Sequence, residues 1–220
     1  MKRHIAIVDP AVQRPELNAF NQMSRLSPAP LTYHLPAMHG MQSLNHQPPD
    51  TVMGIVVLGS LASVHHKDPW QVELGQWLKP FLESGTPTLG ICFGHQFIAS
   101  LLGGTVGYAR PDKTKYQGCR QISLSANPLW DNKPLQGYLC VSHEETVSSV
   151  PSEMEIVGVS QEIPTEVLAH KKLPVWTFQS HPEATMGFLE RRKIDPGLPK
   201  PYEFGQRLVK LFLEFASRGR

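Results

Sequence analysis

The sequence predicts an α/β protein: a single domain with a central, mostly parallel sheet flanked by helices, plus short antiparallel strands in its second half. Three observations carry this. The β-branched apolar runs Ile5–Val8 and Val52–Leu58 read as strands buried on both faces. Up to Leu102 such runs alternate with helical patterns, the order that builds a parallel sheet covered on both sides. From Thr105 to Phe178 only short alternating runs appear, joined by turns.

The first strand stops at Asp9-Pro10. Weak helical spacing follows at Leu17, Phe20 and Met23, and then a second strand at Leu31–Leu35. Ala37–Asp50, rich in His, Gln and Pro, reads as loop, and Gly59-Ser60 closes the Val52–Leu58 strand. Asp68-Pro69 reads as an N-cap followed by proline at the first helical position. The stripe Trp70, Leu74, Trp77, Leu78, Phe81 and Leu82 continues that helix, which Pro80 is expected to kink or shorten and Gly85-Thr86-Pro87 to end. Thr88–Ile91 is the next strand, and His95–Leu102 the next helix, capped by Gly103-Gly104. Gln121–Leu124, Gly137–Val141, Glu155–Val159, Glu166–His170 and Pro174–Phe178 read as strands, some of them antiparallel. Apolar residues at Phe204, Leu208, Leu211, Phe212 and Phe215 make Tyr202–Ala216 an amphipathic helix. With no repeat, low-complexity block or linker, residues 1–220 read as one domain.

The 220 residues are 40% apolar and 18% charged, ordinary for a soluble globular protein. A formal charge of +2 is too small to point to nucleic acid or an anionic membrane. The ten histidines are scattered, and no CxxC or HExxH spacing occurs, so no metal is expected. Three cysteines without framework spacing suit a reducing compartment. The N-terminal apolar run stops at Asp9, short of a signal sequence, and no stretch approaches the roughly 18 apolar residues of a membrane span. A cytoplasmic location is expected.

The segment TLGICFGHQ, Thr88–Gln96, places a cysteine where a strand ends and a helix begins. A thiolate attacks carbonyl carbon well, but a free thiol is mostly protonated at neutral pH and needs a base or a helix N-terminus. Gly90 and Gly94 flank Cys92 at two residues on each side and permit a tight turn with close approach of a substrate. This is the glycine-x-nucleophile-x-glycine elbow, with cysteine in place of serine. There the Phe93 N–H faces the oxyanion of a tetrahedral intermediate, and Gly59, ending the preceding strong strand, is the candidate second donor. The plainer reading makes Cys92 a small apolar filler in a core turn.

A base is supplied by FQSHPEA, Phe178–Ala184. Pro182 biases His181 toward extended backbone, where residues two apart point to the same side, so Glu183 reaches the His181 ring. A carboxylate orients the base of a catalytic triad in this way. Alone, His-Pro-Glu reads as a surface turn; beside the elbow it reads as a base with its orienting acid.

GICFGHQ (Gly90–Gln96) and QSHPE (Gln179–Glu183) resemble, in order and spacing, the two signatures of class I, triad-type glutamine amidotransferase domains. VLGSLASV (Val57–Val64) sits where that family has its oxyanion loop, and VSHEETV (Val141–Val147) is similar to the SHGD-type segment of the GMP-synthase-like branch. The resemblance runs from about Ile5 to Glu183. It implies the family's flavodoxin-like fold, with Cys92 as nucleophile, His181 as base and Glu183 as the orienting residue. It further implies oxyanion-hole amides at Gly59 and Phe93, a substrate-holding side chain at Gln96, and a segment at Ser142 and His143 whose backbone grips the glutamine α-amino and α-carboxyl groups. The chain departs from the family in Leu58-Gly59-Ser60, where many members have Gly-Gly-Pro, and in Glu144-Glu145, where an aspartate is usual. After Glu183 only a short tail and one helix are expected, with no synthase domain to receive ammonia.

The expected substrate is glutamine or another γ-glutamyl small molecule, cleaved without a metal or organic cofactor. Three functions are compatible with the motifs: a stand-alone hydrolase, a glutaminase subunit feeding a separate synthase chain, and a non-catalytic regulatory homologue. An intact Cys92, His181 and Glu183 argues against the third. Neither nucleic acid nor a membrane is an expected partner. His65, His66, His95, Cys119, Cys140 and the Arg191–Lys193 run receive ordinary readings as loop, packing, strand and solvated-face residues.

Overall fold

The computed structural model describes residues 2–195, 197 and 200–218. The first half contains β1 (His4–Val8), α1 (Leu17–Leu26), β2 (Leu31–His34), α2 (Pro36–His39), α3 (Gln42–Asn45), β3 (Val52–Val57), α4 (Pro69–Glu83), β4 (Thr88–Ile91) and α5 (Phe93–Leu101). The second half contains β5 (Thr105–Tyr108), β6 (Tyr116–Leu124), β7 (Leu135–His143), β8 (Glu145–Ser149), β9 (Met154–Val159), β10 (Val167–His170), β11 (Val175–Phe178), α6 (Met186–Arg192) and α7 (Pro201–Ser217). Nine strands form one mixed sheet in the order β2-β1-β3-β4-β11-β10-β9-β6-β7, and β5 pairs with β8 in a separate ribbon. Ladders from β2 through β11 are parallel, and those from β11 out to β7 are antiparallel. The antiparallel strands expected in the second half therefore extend the same sheet.

Alternation along the strands sorts the core into two layers. Ile5 and Ile7 of β1 join Val56 of β3, Met23 of α1 and Leu208 and Phe212 of α7 on one face. Ala6 and Val8 join Ile55 and Val57, Leu74 and Leu78 of α4, and Phe97 and Ile98 of α5 on the other. Doubly buried strands explain why β1 and β3 read as continuous apolar runs.

Four local expectations change. After Glu183 two helices follow, α6 and α7, where one was expected, because Phe188 and Leu189 of α6 are buried. The stretch read as loop from Ala37 to Asp50 holds most of α2 and all of α3, because Met41 and Leu44 bury against the second layer. Pro80 does not shorten α4, which runs to Glu83 behind a capping box between Asp68 and Gln71. Proline there removes only one donor, the one facing the Gln76 carbonyl near the helix end. Strands β5 and β8 carry no readable pattern in sequence, and β6 and β7 are nine residues each, because their exposed flanks are too polar to show one. The end of α5 agrees with expectation: Gly103, at φ 91°, and Gly104 donate to the Ser100 and Ala99 carbonyls, a Schellman cap.

The parallel half sets the site. Gly59, Cys92 and His181 all lie just beyond the carboxyl ends of neighbouring strands β3, β4 and β11. Ligands of open α/β sheets bind at such strand ends. The Cys92 N–H donates to the Phe178 carbonyl at 2.7 Å, and the Gly94 N–H to the Leu58 carbonyl at 3.3 Å, tying the turn to both neighbours.

The two elbow glycines are required by close approach. A Cβ on Gly94 would collide with the Val57 carbonyl, and one on Gly90 would stand 2.6 Å from the Gly94 oxygen. Gly94→Ala is expected to destabilise the protein by about 3 kcal/mol or more, the upper range for overpacking. A urea midpoint equal to wild type would contradict this packing account.

Candidate active site

Cys92 is the N-cap of α5 at φ 51°, ψ −101°, a conformation rare for a non-glycine residue. Its turn aims the start of α5 at the sulfur, and the first helical N–H groups have no partner inside the helix. Neither the Phe93 nor the Gly59 N–H makes a hydrogen bond among the described residues. Gly59 is close: a Cβ there would lie 3.4 Å from the Cys92 Cβ and 3.0 Å from the His181 Cε1. The two expected amide donors thus flank Cys92 and are free.

His181 Nδ1 is 2.8 Å from Glu183 Oε1, and both side chains are buried. Extended backbone at His181 is what Pro182 leads one to expect. The structure instead turns at Pro182-Glu183, with the Ala184 N–H donating to the His181 carbonyl, and the carboxylate folds back to the ring. His181 itself forms an isolated antiparallel bridge with Cys140, and its N–H donates to the Cys140 carbonyl at 2.8 Å. The Pro182 backbone packs so tightly on Gly205 of α7 that a Cβ at Gly205 would collide with it. Phe188 of α6 lies against the ring, with centroids 4.6 Å apart. With Nδ1 held by Glu183, the other nitrogen, Nε2, is buried without a hydrogen-bond partner among the described residues, on the ring that shares the Gly59 surroundings with Cys92. Burial opposes charging of this ring, yet Glu183 and the Cys92 sulfur prevail and hold His181 up at about 10.

The remaining expected residues converge on the same place with altered parts. Gln96 lines a cavity beside Cys92 and donates its amide hydrogens to the Glu145 carbonyl at 2.7 Å and to Gln179 Oε1 at 3.2 Å. Its Oε1 is therefore the atom left for a ligand. Ser142 borders Cys92 with a buried hydroxyl that has no partner among the described residues. His143 turns its ring away into a buried cluster. Arg120 donates to its Nε2 at 2.9 Å, so the proton sits on Nδ1 and goes to the Glu145 carbonyl at 2.9 Å. Burial and Arg120 lower His143 to about 3, and Arg120 is in turn paired with buried Glu166.

Several participants are illegible in the sequence. The Glu145 carboxylate takes the Ser63 hydroxyl at 2.8 and 2.9 Å and joins the 141–147 segment to the loop after β3. His65 stands 3.9 Å from the same carboxylate, while His66 borders the Cys92 cavity. His95 is a packing residue as expected: it is buried, bonds Thr177 Oγ1 at 2.7 Å, and is lowered by burial to about 3. Cys119 and Cys140 face each other across β6 and β7 with sulfurs 3.7 Å apart. Arg191 and Arg192 depart from the solvated-face reading. Both border a cavity at Cys92, and Arg191 is ion-paired with Glu16. Among the described residues no group of three ligating side chains could hold a metal ion, and no helix is long and apolar enough to cross a membrane.

The family model described as glutamine amidotransferase class-I matches residues 36–196, most of the chain and both motifs. The chain belongs to the class I glutamine amidotransferase family. Among curated members, anthranilate synthase component 2 of Thermococcus kodakarensis is 31% identical over 153 residues, covering 67% of this chain and 70% of that protein. The glutamine-hydrolysing GMP synthase of Aquifex aeolicus is 32% identical over 132 residues, 60% of this chain. A subunit of the glutamine-hydrolysing GMP synthase of Pyrococcus furiosus is 33% identical over 106 residues, 48% of this chain. The matches span only 24% and 55% of those two GMP synthase proteins. A crystal structure of a glutamine amidotransferase from Thermotoga maritima superposes with a TM-score of 0.77, at 20% identity, over 97% of this chain and 98% of that one. A glutamine amidotransferase from Methylobacillus flagellatus gives 0.74 at 16% identity, over 100% and 96%. These two confirm the amidotransferase fold.

The geometry around Cys92 makes two expectations measurable. Glycine at position 92 is free of the positive-φ strain that alanine keeps, so Cys92→Gly is expected to be more stable than Cys92→Ala by about 1 kcal/mol. Equal melting temperatures would show that the turn is unstrained. His181 is raised from 6.5 to about 10, so its contribution to stability is fully present below pH 6.5 and lost as pH rises toward 10. In Glu183→Gln the alkaline decline should be shallower; parallel stability curves over that window would refute the pairing.

Proposed function

We propose that the chain is an amidohydrolase that cleaves the γ-amide of glutamine or of a γ-glutamyl compound, with Cys92, His181 and Glu183 as its triad. The observation that carries this is the buried His181–Glu183 pair at 2.8 Å, set beside a cysteine with two unengaged amides around it. The thiol proton is already held on His181 Nε2 when substrate arrives, and the Cys92 sulfur attacks the γ-carbonyl carbon. The oxyanion forms against the Gly59 and Phe93 amides. The C–N bond breaks as His181 returns the proton to the leaving nitrogen, giving ammonia or an amine and a γ-glutamyl thioester. Water, deprotonated by His181, then breaks the S–C bond and releases glutamate. Glu183 keeps the ring oriented and supports its charged form.

The glutamyl end enters the cavity that holds Gln96 Oε1, the free Ser142 hydroxyl, and the Glu144-Glu145 segment. Acidic groups there suit an α-amino group. The Glu145 carboxylate is held by Ser63, and its backbone carbonyl holds Gln96. Three free cysteines are consistent with a cytoplasmic setting.

A second reading, a glutaminase subunit serving a separate synthase chain, is favoured by one feature. Val12 and Leu61 stand 39% and 52% exposed at the rim of the Cys92 cavity, where a partner would cover them. Curated relatives of the chain include subunits of glutamine-hydrolysing GMP synthases.

The test is steady-state release of glutamate from glutamine by the purified chain. Cys92→Ala is expected to abolish it, and Glu183→Gln to lower kcat by about a thousandfold or more, the order seen when a triad acid is neutralised. Turnover that survives in Cys92→Ala would refute the nucleophile. A folded but inert wild-type chain, active only with a synthase, would favour the subunit reading.

A further inference from the structure

Two cavities meet at Cys92, and they differ in what they contain. One, of about 230 Å³, holds Gln96, His143, Glu144 and Glu145. The other, of about 510 Å³, holds His181 and Glu183 together with the 11–16 loop and the end of α6. Cys92 and Ser142 border both. If His181 protonates the departing nitrogen, that nitrogen must leave on the His181 side. The smaller cavity then takes the glutamyl group and the larger one takes whatever the nitrogen carries.

Ammonia needs almost none of that room, since a small hydride molecule such as water occupies only roughly 30 Å³. The cavity is also charged in one sense. Arg14, Arg191 and Arg192 border it, against Glu16 and Glu183. Glu183 is engaged by His181, and Glu16 by Arg191. Arg14 and Arg192 form no ion pair among the described residues. The wall that carries Arg14 is built in place. Buried Asp9, at the end of β1, accepts the Ala11 and Glu16 amides at 3.0 and 2.7 Å and the Tyr33 hydroxyl. Ser60 next to Gly59 donates to the Pro10 carbonyl at 2.6 Å, tying that wall to the loop after β3. On the opposite side Arg192 is held over Phe188, 5.7 Å from its centroid, and Phe188 packs on the His181 ring. The loop that carries Arg14 and the helix end that carries Arg192 are thus tied to the elements that present the catalytic groups.

We propose that this cavity is a leaving-amine subsite, and that Arg14 and Arg192 select amines bearing a carboxylate, as in γ-glutamyl amino acids and γ-glutamyl peptides. The inference rests on the hydrolase reading above. The reaction balances as γ-glutamyl amide plus water giving glutamate plus the free amino acid or peptide. The γ C–N bond breaks, the nitrogen receives its proton from His181, and no oxidant, reductant or metal enters. Arginine suits the task because its planar fork pairs a carboxylate through two charge-assisted hydrogen bonds.

The experiment compares kcat/KM for γ-glutamylglycine, γ-glutamylglycinamide and glutamine on the full chain. Wild type is expected to favour γ-glutamylglycine over its amide by about tenfold or more, the range of a charge-assisted hydrogen bond. In Arg14→Gln/Arg192→Gln the ratio should collapse toward one. Because both substrates are read on the same preparation, a partial folding loss cancels from the ratio. Arg25→Gln on α1, outside both cavities, is the control expected to keep it. Turnover of glutamine with no preference for the carboxylate, or a preference that survives in the double variant, overturns the subsite and leaves the hydrolase reading standing. No turnover of any of the three overturns both.

Discussion

A single strained turn organises this molecule. Cys92 stands at φ 51° between the last residue of β4 and the first of α5, and everything that holds it there belongs to its neighbours. The Phe178 carbonyl takes its N–H from one side, the Leu58 carbonyl takes the Gly94 N–H from the other, and both elbow glycines are pressed against backbone. A conformation of this kind costs on the order of 1–3 kcal/mol and persists only where the surroundings over-determine it. Here the surroundings are three parallel strands buried on both faces, whose register fixes Gly59, Cys92 and His181 side by side.

Around that turn, buried polar groups are arranged in separate tasks. His181 and Glu183 form one closed pair, charged because an acid and a sulfur outweigh the penalty of burial. His143, Arg120 and Glu166 form another, in which the imidazole is kept neutral by burial and by an arginine that can only donate. Two buried histidines close to one cysteine therefore have opposite charge states. The first is suited to moving a proton. The second fixes the position of the Ser142–Glu145 backbone, with Gln96 pinned to the same carbonyl. C-terminal helix α7 contributes at a distance, since Gly205 seats the Pro182 backbone between His181 and Glu183.

Much of this is legible in the sequence. Doubly buried strands advertise themselves as apolar runs, so β1, β3, β4 and β11 can be read nearly to the residue. The elbow and the His-Pro-Glu block are local, and local motifs survive in one dimension. The His181–Glu183 contact follows from spacing, although the backbone reaches it through a turn rather than by extension. What escapes depends on long-range contact. Ser63 with Glu145, Arg120 with Glu166 and Glu16 with Arg191 pair across 82, 46 and 175 positions respectively, and no spacing rule connects them. Arg191 and Arg192 look like a short solvated charge run because nothing local distinguishes a rim from a surface. The α2 and α3 segment hides its fold behind proline, histidine and glutamine, with only Met41 and Leu44 to betray it.

The central claim is that the Cys92 sulfur carries an acyl intermediate formed on a γ-glutamyl group. The most direct measurement is intact-mass and peptide mapping after exposure to a γ-diazoketone analogue of glutamine, with and without excess glutamine. The account predicts one adduct per chain, located on Cys92 and suppressed by glutamine. A folded chain that remains unlabelled, or a label carried by Cys119 or Cys140 that glutamine does not suppress, would contradict it.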